Sequence, residues 1–104
     1  MLTIVETEAF QRYAAMLWSD SERIAFIIWI AENPMQGDII AGSGGLRKVR
    51  WTYAGKGKRG GVRVIFYPNF SSGEIFLLIV YAKAKFDNLP LSVLAGLKKD
   101  MQDG

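Results

Sequence analysis

Arg47, Lys48, Arg50, Lys56, Lys58, Arg59 and Arg63 are seven of the thirteen Lys and Arg of the chain, and they fall within residues 39 to 73, where there is no Asp or Glu. A block of one charge sign at this density is a surface for a polyanion. Trp51, Tyr53, Phe66, Tyr67 and eight Gly are interleaved with the cations, so backbone can approach a phosphate closely while rings lie near enough to stack on bases. Tyr81, Lys83 and Lys85 follow at alternating positions and would join Arg50 and Arg63 if their strands are neighbours, gathering donors around one phosphate. Together these residues point to nucleic acid, and to RNA in particular.

Other chemistries are excluded by what the chain lacks. It has no His and no Cys, so the commonest acid/base group and metal ligand, the thiolate nucleophile and any disulfide framework are all missing. The ten acids are scattered without metal-ligand spacing, and no Ser stands in a nucleophile elbow. Gly55-Lys-Gly-Lys-Arg-Gly60 matches G-x-G-x-x-G literally, but it sits between two expected strands, whereas a dinucleotide site needs a helix after it. No Gly-rich stretch ends in Gly-Lys-Ser/Thr, so a P-loop is excluded too, and no cofactor is expected. Taken alone, the GKGKRGG stretch also reads as a solvated hairpin loop; its continuity with LRKVRW and Arg63 favours the functional reading.

These residues need a scaffold, and 104 residues, half of them hydrophobic, suit one compact domain spanning 1–104. Leu2 to Val5 reads as a strand. Thr7 then opens a helical pattern through Phe10, Tyr13, Ala14 and Leu17. Ser19 and Glu22 have the spacing of a capping box, and Ile24, Ile27, Ile28 and Ala31 fall on one face of a second helix that Asn33-Pro34 ends. Gly37 to Gly45 reads as a loop; Leu46 to Trp51, Val62 to Pro68 and Ile75 to Ala82 read as three strands of an antiparallel meander. A last segment with Leu91, Leu94 and Leu97 has weak helical spacing. The expected class is α+β, in the order β-α-α-β-β-β-α, an antiparallel sheet with helices packed on one face and the other free for a ligand.

Alternation along the strands puts Lys48 and Arg50 on one face, Arg63, Ile65 and Tyr67 on one face, and Ile79, Tyr81 and Lys83 on one face. Trp18, Trp29, Phe26 and Phe10 are expected in the core, and Trp51 either stacks on a base or closes the sheet edge. Residues 1 to 38 carry six acids against two bases, so the molecule is electrically lopsided despite a net charge of only +3. Ile24 to Ala31, the most apolar run, is far too short to span a bilayer, and a cytoplasmic location without membrane attachment is expected.

The combination Gly44-Gly-Leu-Arg-Lys-Val-Arg-Trp51, Gly55-Lys-Gly-Lys-Arg-Gly-Gly-Val-Arg-Val-Ile-Phe-Tyr67 and Tyr81-Ala-Lys83 resembles the RelE/HigB superfamily of type II toxins, and its HigB-like branch in particular, over nearly the whole chain. The resemblance implies an endoribonuclease that cuts translated messenger RNA in the ribosomal A site, silenced by an antitoxin of the DNA-binding helix-turn-helix type. In the family reaction a ribose 2′-hydroxyl attacks the adjacent phosphorus and expels a 5′-hydroxyl. The candidate catalytic set is Lys48, Arg50, Arg63, Tyr81 and Lys83, with Arg63 matching the family's catalytic arginine.

In that set Arg50 and Arg63 stabilise the transition state, and Lys83 or Lys48, its pKa lowered by crowded cations, moves the proton. Arg47, Trp51, Lys56, Lys58, Arg59 and Lys85 would hold RNA. Better-known relatives carry a tyrosine near their C-terminus; here the segment after Lys85 has none, so either Tyr81 or Tyr67 supplies the phenol or the site works with cations only. The superfamily also includes toxins that inhibit DNA gyrase without cutting RNA, and a non-toxic RNA-binding module would show the same charge pattern.

Overall fold

A computed structural model describes residues 2–52, 61–82 and 89–103. The elements are β1 (Thr3–Glu6), α1 (Glu8–Leu17), α2 (Asp20–Glu32), β2 (Asp38–Ile39), β3 (Arg47–Trp51), β4 (Val62–Asn69), β5 (Glu74–Ala82) and α3 (Leu91–Asp103). The five strands form one sheet in the order β1-β5-β4-β3-β2.

Both helix starts are written in local chemistry. The Thr7 hydroxyl accepts from the Phe10 amide (3.2 Å) and caps α1. Ser19 and Glu22 form the reciprocal box at α2: the Glu22 amide donates to Ser19 Oγ (3.2 Å) and the Ser19 amide to Glu22 Oε1 (2.9 Å). Asn33 ends α2, where Pro34 removes the next amide donor.

The α+β class and the element order hold, with β2 as an addition: Asp38 and Ile39, expected in a loop, pair with Lys48 and Arg47. Two further details of the sheet differ from expectation. It is mixed, because β1 runs parallel to β5. The reason is connectivity: the α1–α2 hairpin and β2 to β4 intervene between these strands, so no tight turn forces them antiparallel. The helices also do not share one face. Phe10, Ala14, Phe26 and Ile30 of α1 and α2 pack with Val49, Val64, Phe66, Ile75, Leu77 and Val80 on one side of the sheet. On the other side Leu94 and Leu97 of α3 join Leu46, Ile65, Leu78, Ile79 and Tyr81. The leucine spacing of α3 gives it an apolar stripe, and that stripe covers part of the face expected to be free.

Within α2 the buried positions are Phe26 and Ile30, while Ile24 and Ile28 are 48% and 57% exposed. Apolar residues surround this helix, so spacing alone did not choose the face. The large rings decided it: Phe26 lies between Trp18 and Trp51, with centroids 5.5 and 5.4 Å away.

The strands β4 and β5 meet through a bulge. Ile65 pairs with Ile79 and Phe66 with Leu77, leaving Leu78 without a partner in β4. The extra residue reverses the phase of β5, so Ile75 and Leu77 face α1 and α2 while Ile79 and Tyr81 face α3. Thr7 is tied to the same place. Its amide donates to the Leu77 carbonyl (3.2 Å), and its hydroxyl proton is shared between the Leu77 and Leu78 carbonyl oxygens at 3.0 and 3.3 Å. Replacing Thr7 by Ala removes a buried cap and the hydroxyl's part of this tie, leaving the amide's, and should cost about 1–3 kcal/mol, read as a shift of the urea unfolding midpoint, with Thr7→Ser recovering most of it.

Candidate functional site

Arg50 on β3, Arg63 on β4 and Tyr81 on β5 stand in a single cross-strand row: Arg50 pairs with Arg63, and Arg63 with Tyr81. Residues directly opposite across antiparallel strands share a face and come within about 5 Å at the backbone. The row therefore brings two guanidiniums and a phenol onto the side of the sheet that carries α3. Next to it runs a second row, Lys48, Ile65 and Ile79, also on that side.

Burial grades across the first row. Arg50 is exposed, whereas Arg63 is only 8% and Tyr81 only 3% accessible. The expectation of a wholly uncovered receptor is thus corrected: Arg50 and half-buried Lys48 form the rim, while Arg63 and Tyr81 form the floor beside α3. Two like charges directly opposite each other disfavour the folded state, and an anion lying between them reverses the sign of that contribution.

Burial pushes the Tyr81 phenol above its ordinary pKa, and the neighbouring Arg63 guanidinium offsets this only in part. At neutral pH the hydroxyl therefore keeps its proton. It can donate a hydrogen bond or a proton, but it is not a base.

Other expected site residues fall elsewhere. Arg47 lies on the α1–α2 side of β3, paired with Phe66, and its Nη1 donates to the carbonyls of Met35 (3.1 Å) and Gly37 (3.3 Å). It ties down the segment after α2 and does not join the cation row. Trp51 packs against Trp29 (centroids 5.0 Å) and Phe26 on that same side, so it belongs to the aromatic core, away from the row. Lys56, Lys58, Arg59, Lys83 and Lys85 lie outside the described residues. Among the described residues no group of acids could hold a metal, and no helix is long and apolar enough to cross a membrane.

Sequence reasoning missed a cleft of about 240 Å³ next to Lys48, walled by Ile40, Ala41, Ile65, Leu89 and Leu94. Its walls come from four separate stretches of chain, and each residue taken singly looks like ordinary packing. No local signal marks it.

No family model matches the chain. Among solved structures, the fold is similar to that of a double arginine-to-alanine mutant of E. coli toxin RelE in the free state, with a TM-score of 0.63 at 12% identity, covering 93% of this chain and 96% of that one. The likeness is one of fold.

The raised Tyr81 pKa has a measurable consequence. A phenol that ionises later in the folded than in the unfolded chain contributes stability that is fully present below about pH 10 and is lost as pH rises through the folded-state value. The wild-type protein should therefore lose stability above pH 10 more steeply than Tyr81→Phe, in denaturant unfolding measured between pH 8 and 11. Parallel curves for the two proteins would contradict this placement of the phenol.

Proposed function

We propose that the chain is the toxin of a type II toxin–antitoxin pair, a ribosome-dependent endoribonuclease of the HigB-like branch that cuts translated messenger RNA by 2′-hydroxyl attack. The observation that carries this reading is the Arg50–Arg63–Tyr81 row, assembled from three strands on one side of a RelE-like sheet. The charge pattern of the sequence and the motifs around Arg50 and Arg63 support it independently.

Each member of the row has a part that its chemistry suits. As the 2′-oxygen closes on phosphorus, negative charge accumulates on the non-bridging oxygens. The Arg50 and Arg63 guanidiniums present planar forks to those oxygens and are more strongly engaged in the transition state than in the ground state. The departing 5′-oxygen needs a proton, and Tyr81, held in its neutral form, is the donor. The proton leaving the 2′-hydroxyl goes to a lysine, Lys48 at the rim or Lys83. Lys56, Lys58, Arg59 and Lys85 grip RNA backbone, and contacts of that kind weaken with salt.

A site of this kind, built largely from charges, is easily blocked. An antitoxin segment of acidic character laid over the rim would neutralise Arg50 and Lys48 and prevent entry of the toxin into the A site.

Induced expression should arrest translation and leave fragment ends within codons of polysomal transcripts. Arg63→Ala should lower cleavage about 10²–10³-fold while circular dichroism and the unfolding midpoint report a folded protein. Arg63→Lys, which keeps charge but loses the fork, should fall between the two. Intact transcripts together with a DNA-damage response would overturn the reading in favour of a gyrase-directed toxin.

A further inference from the structure

The sheet ends on two unlike edges. At one of them β2 offers only Asp38 and Ile39. β1, at the other, is longer and carries none of the devices that keep an edge strand from pairing with another chain: no Lys, no Pro and no bulge. The acid that closes it, Glu6, has its charge taken up by Arg23, whose Nη1 donates to both carboxylate oxygens at 2.8 and 2.9 Å.

The register shows which backbone groups of this edge are open. The Thr3 amide donates to the Gly73 carbonyl (2.8 Å) and the Thr7 amide to the Leu77 carbonyl (3.2 Å), so the odd-numbered residues of β1 turn their amides and carbonyls toward β5. Leu2, Ile4 and Glu6 turn theirs outward. Among the described residues one of these outward groups is met: the Glu6 carbonyl accepts from Gln11 Nε2 (2.8 Å). The α3 side of the edge is accessible too, because a hollow of about 440 Å³ lies there, with Val5, Thr7, Phe76 and Asp100 among its walls.

This pattern is its own complement. Two β1 strands set antiparallel about a two-fold axis place Ile4 opposite Ile4 of the second copy. The Ile4 amide of each then donates to the Ile4 carbonyl of the other, and the Glu6 amide of each to the Leu2 carbonyl of the other. On the α3 side Thr3 comes opposite Val5, a pair of β-branched side chains suited to a strand. On the opposite side Leu2 and Ile4, which already pack against the core of α1 and α2, gain cover at their open flank. The two Glu6 residues end about 14 Å apart along the strands, four residues at roughly 3.4 Å each, beyond the screening length of about 8 Å at physiological salt. Ile24 and Ile28 of α2 are also exposed but lack this self-complementarity, since a second copy laid antiparallel on them sets Asp20 against Glu32.

We infer that β1 is a self-association edge, at which a second copy of this chain continues the sheet across a two-fold axis. The inference goes beyond the nuclease reading and does not depend on it. The cation row runs over β3, β4 and β5, so Arg50 stands about 14 Å from the shared edge, three strand spacings of roughly 4.8 Å, and stays open in both copies. The paired edge is short, so the dimer is weak and forms as concentration rises.

Sedimentation equilibrium of the full chain between about 10 µM and 1 mM should show monomer giving way to dimer. Over the same range the amide exchange of Ile4 and Glu6 should slow about tenfold or more, while the Ile39 amide, which alternation turns outward on the opposite edge, should keep one rate. Ile4→Pro deletes an amide that the pairing needs and β5 does not, so it should stay monomeric throughout with an unchanged circular dichroism spectrum. Should that variant fail to fold, exchange in the wild type decides alone. A wild type that is monomeric at the highest concentration, exchange at Ile4 and Glu6 that ignores concentration, or a dimer that Ile4→Pro leaves intact overturns the inference. Protection of these amides that appears only with a co-expressed second protein assigns the edge to that protein and overturns it equally.

Discussion

One unpaired residue, Leu78, decides which side chains of β5 meet the cations. In an unbroken strand Ile75, Leu77, Ile79 and Tyr81 would share a face, because side chains alternate with a period of two. The phase reversal at Leu78 lets one strand serve two cores. Its first half seals α1 and α2, and its second half delivers Tyr81 beside Arg63. The bulge is held from outside the hairpin by Thr7, whose backbone and side chain both end on carbonyls at that point. The start of α1 and the placement of the phenol therefore have a common anchor.

The side of the sheet that carries the row combines two demands that ordinarily conflict. Cations must be close together and accessible, yet a β-sheet face of this size needs apolar cover. The solution is spatial division: α3 covers Ile65, Ile79 and Leu78, and Arg50 and Lys48 remain at the margin, where β3 is followed only by the two residues of β2. Arg63 sits at the border between the two zones. Its aliphatic stem is the kind of surface that packs beside leucines while the head stays with its charged neighbours.

Much of this was legible in the sequence, and the failures have physical causes. The caps at Thr7 and Ser19 were readable because they depend on residues three apart. The sharing of a face by Lys48 and Arg50, and by Arg63, Ile65 and Tyr67, was readable because it depends only on alternation within regular strands. The bulge was hidden because Leu77-Leu-Ile-Val80 is apolar on both faces and shows no break of pattern at Leu78. The side chosen by α3 was hidden for a similar reason, since its leucines could have packed on either face of a sheet with apolar residues on both. Arg47 and Trp51 were misplaced by composition: both belong to a basic, aromatic block, but odd-numbered positions on β3 point toward α1 and α2.

The row of guanidinium, guanidinium and neutral phenol has a bearing on how such a molecule is kept in check. None of these groups changes its proton count within the range from pH 5 to 8, and in a chain without His or Cys no imidazole or thiol stands by to sense acid or oxidant. These three groups therefore present the same charges across that range. On the reading proposed above, anything that silences this row must do so by occupying it, and the abundance of that occupant becomes the variable that sets the dose.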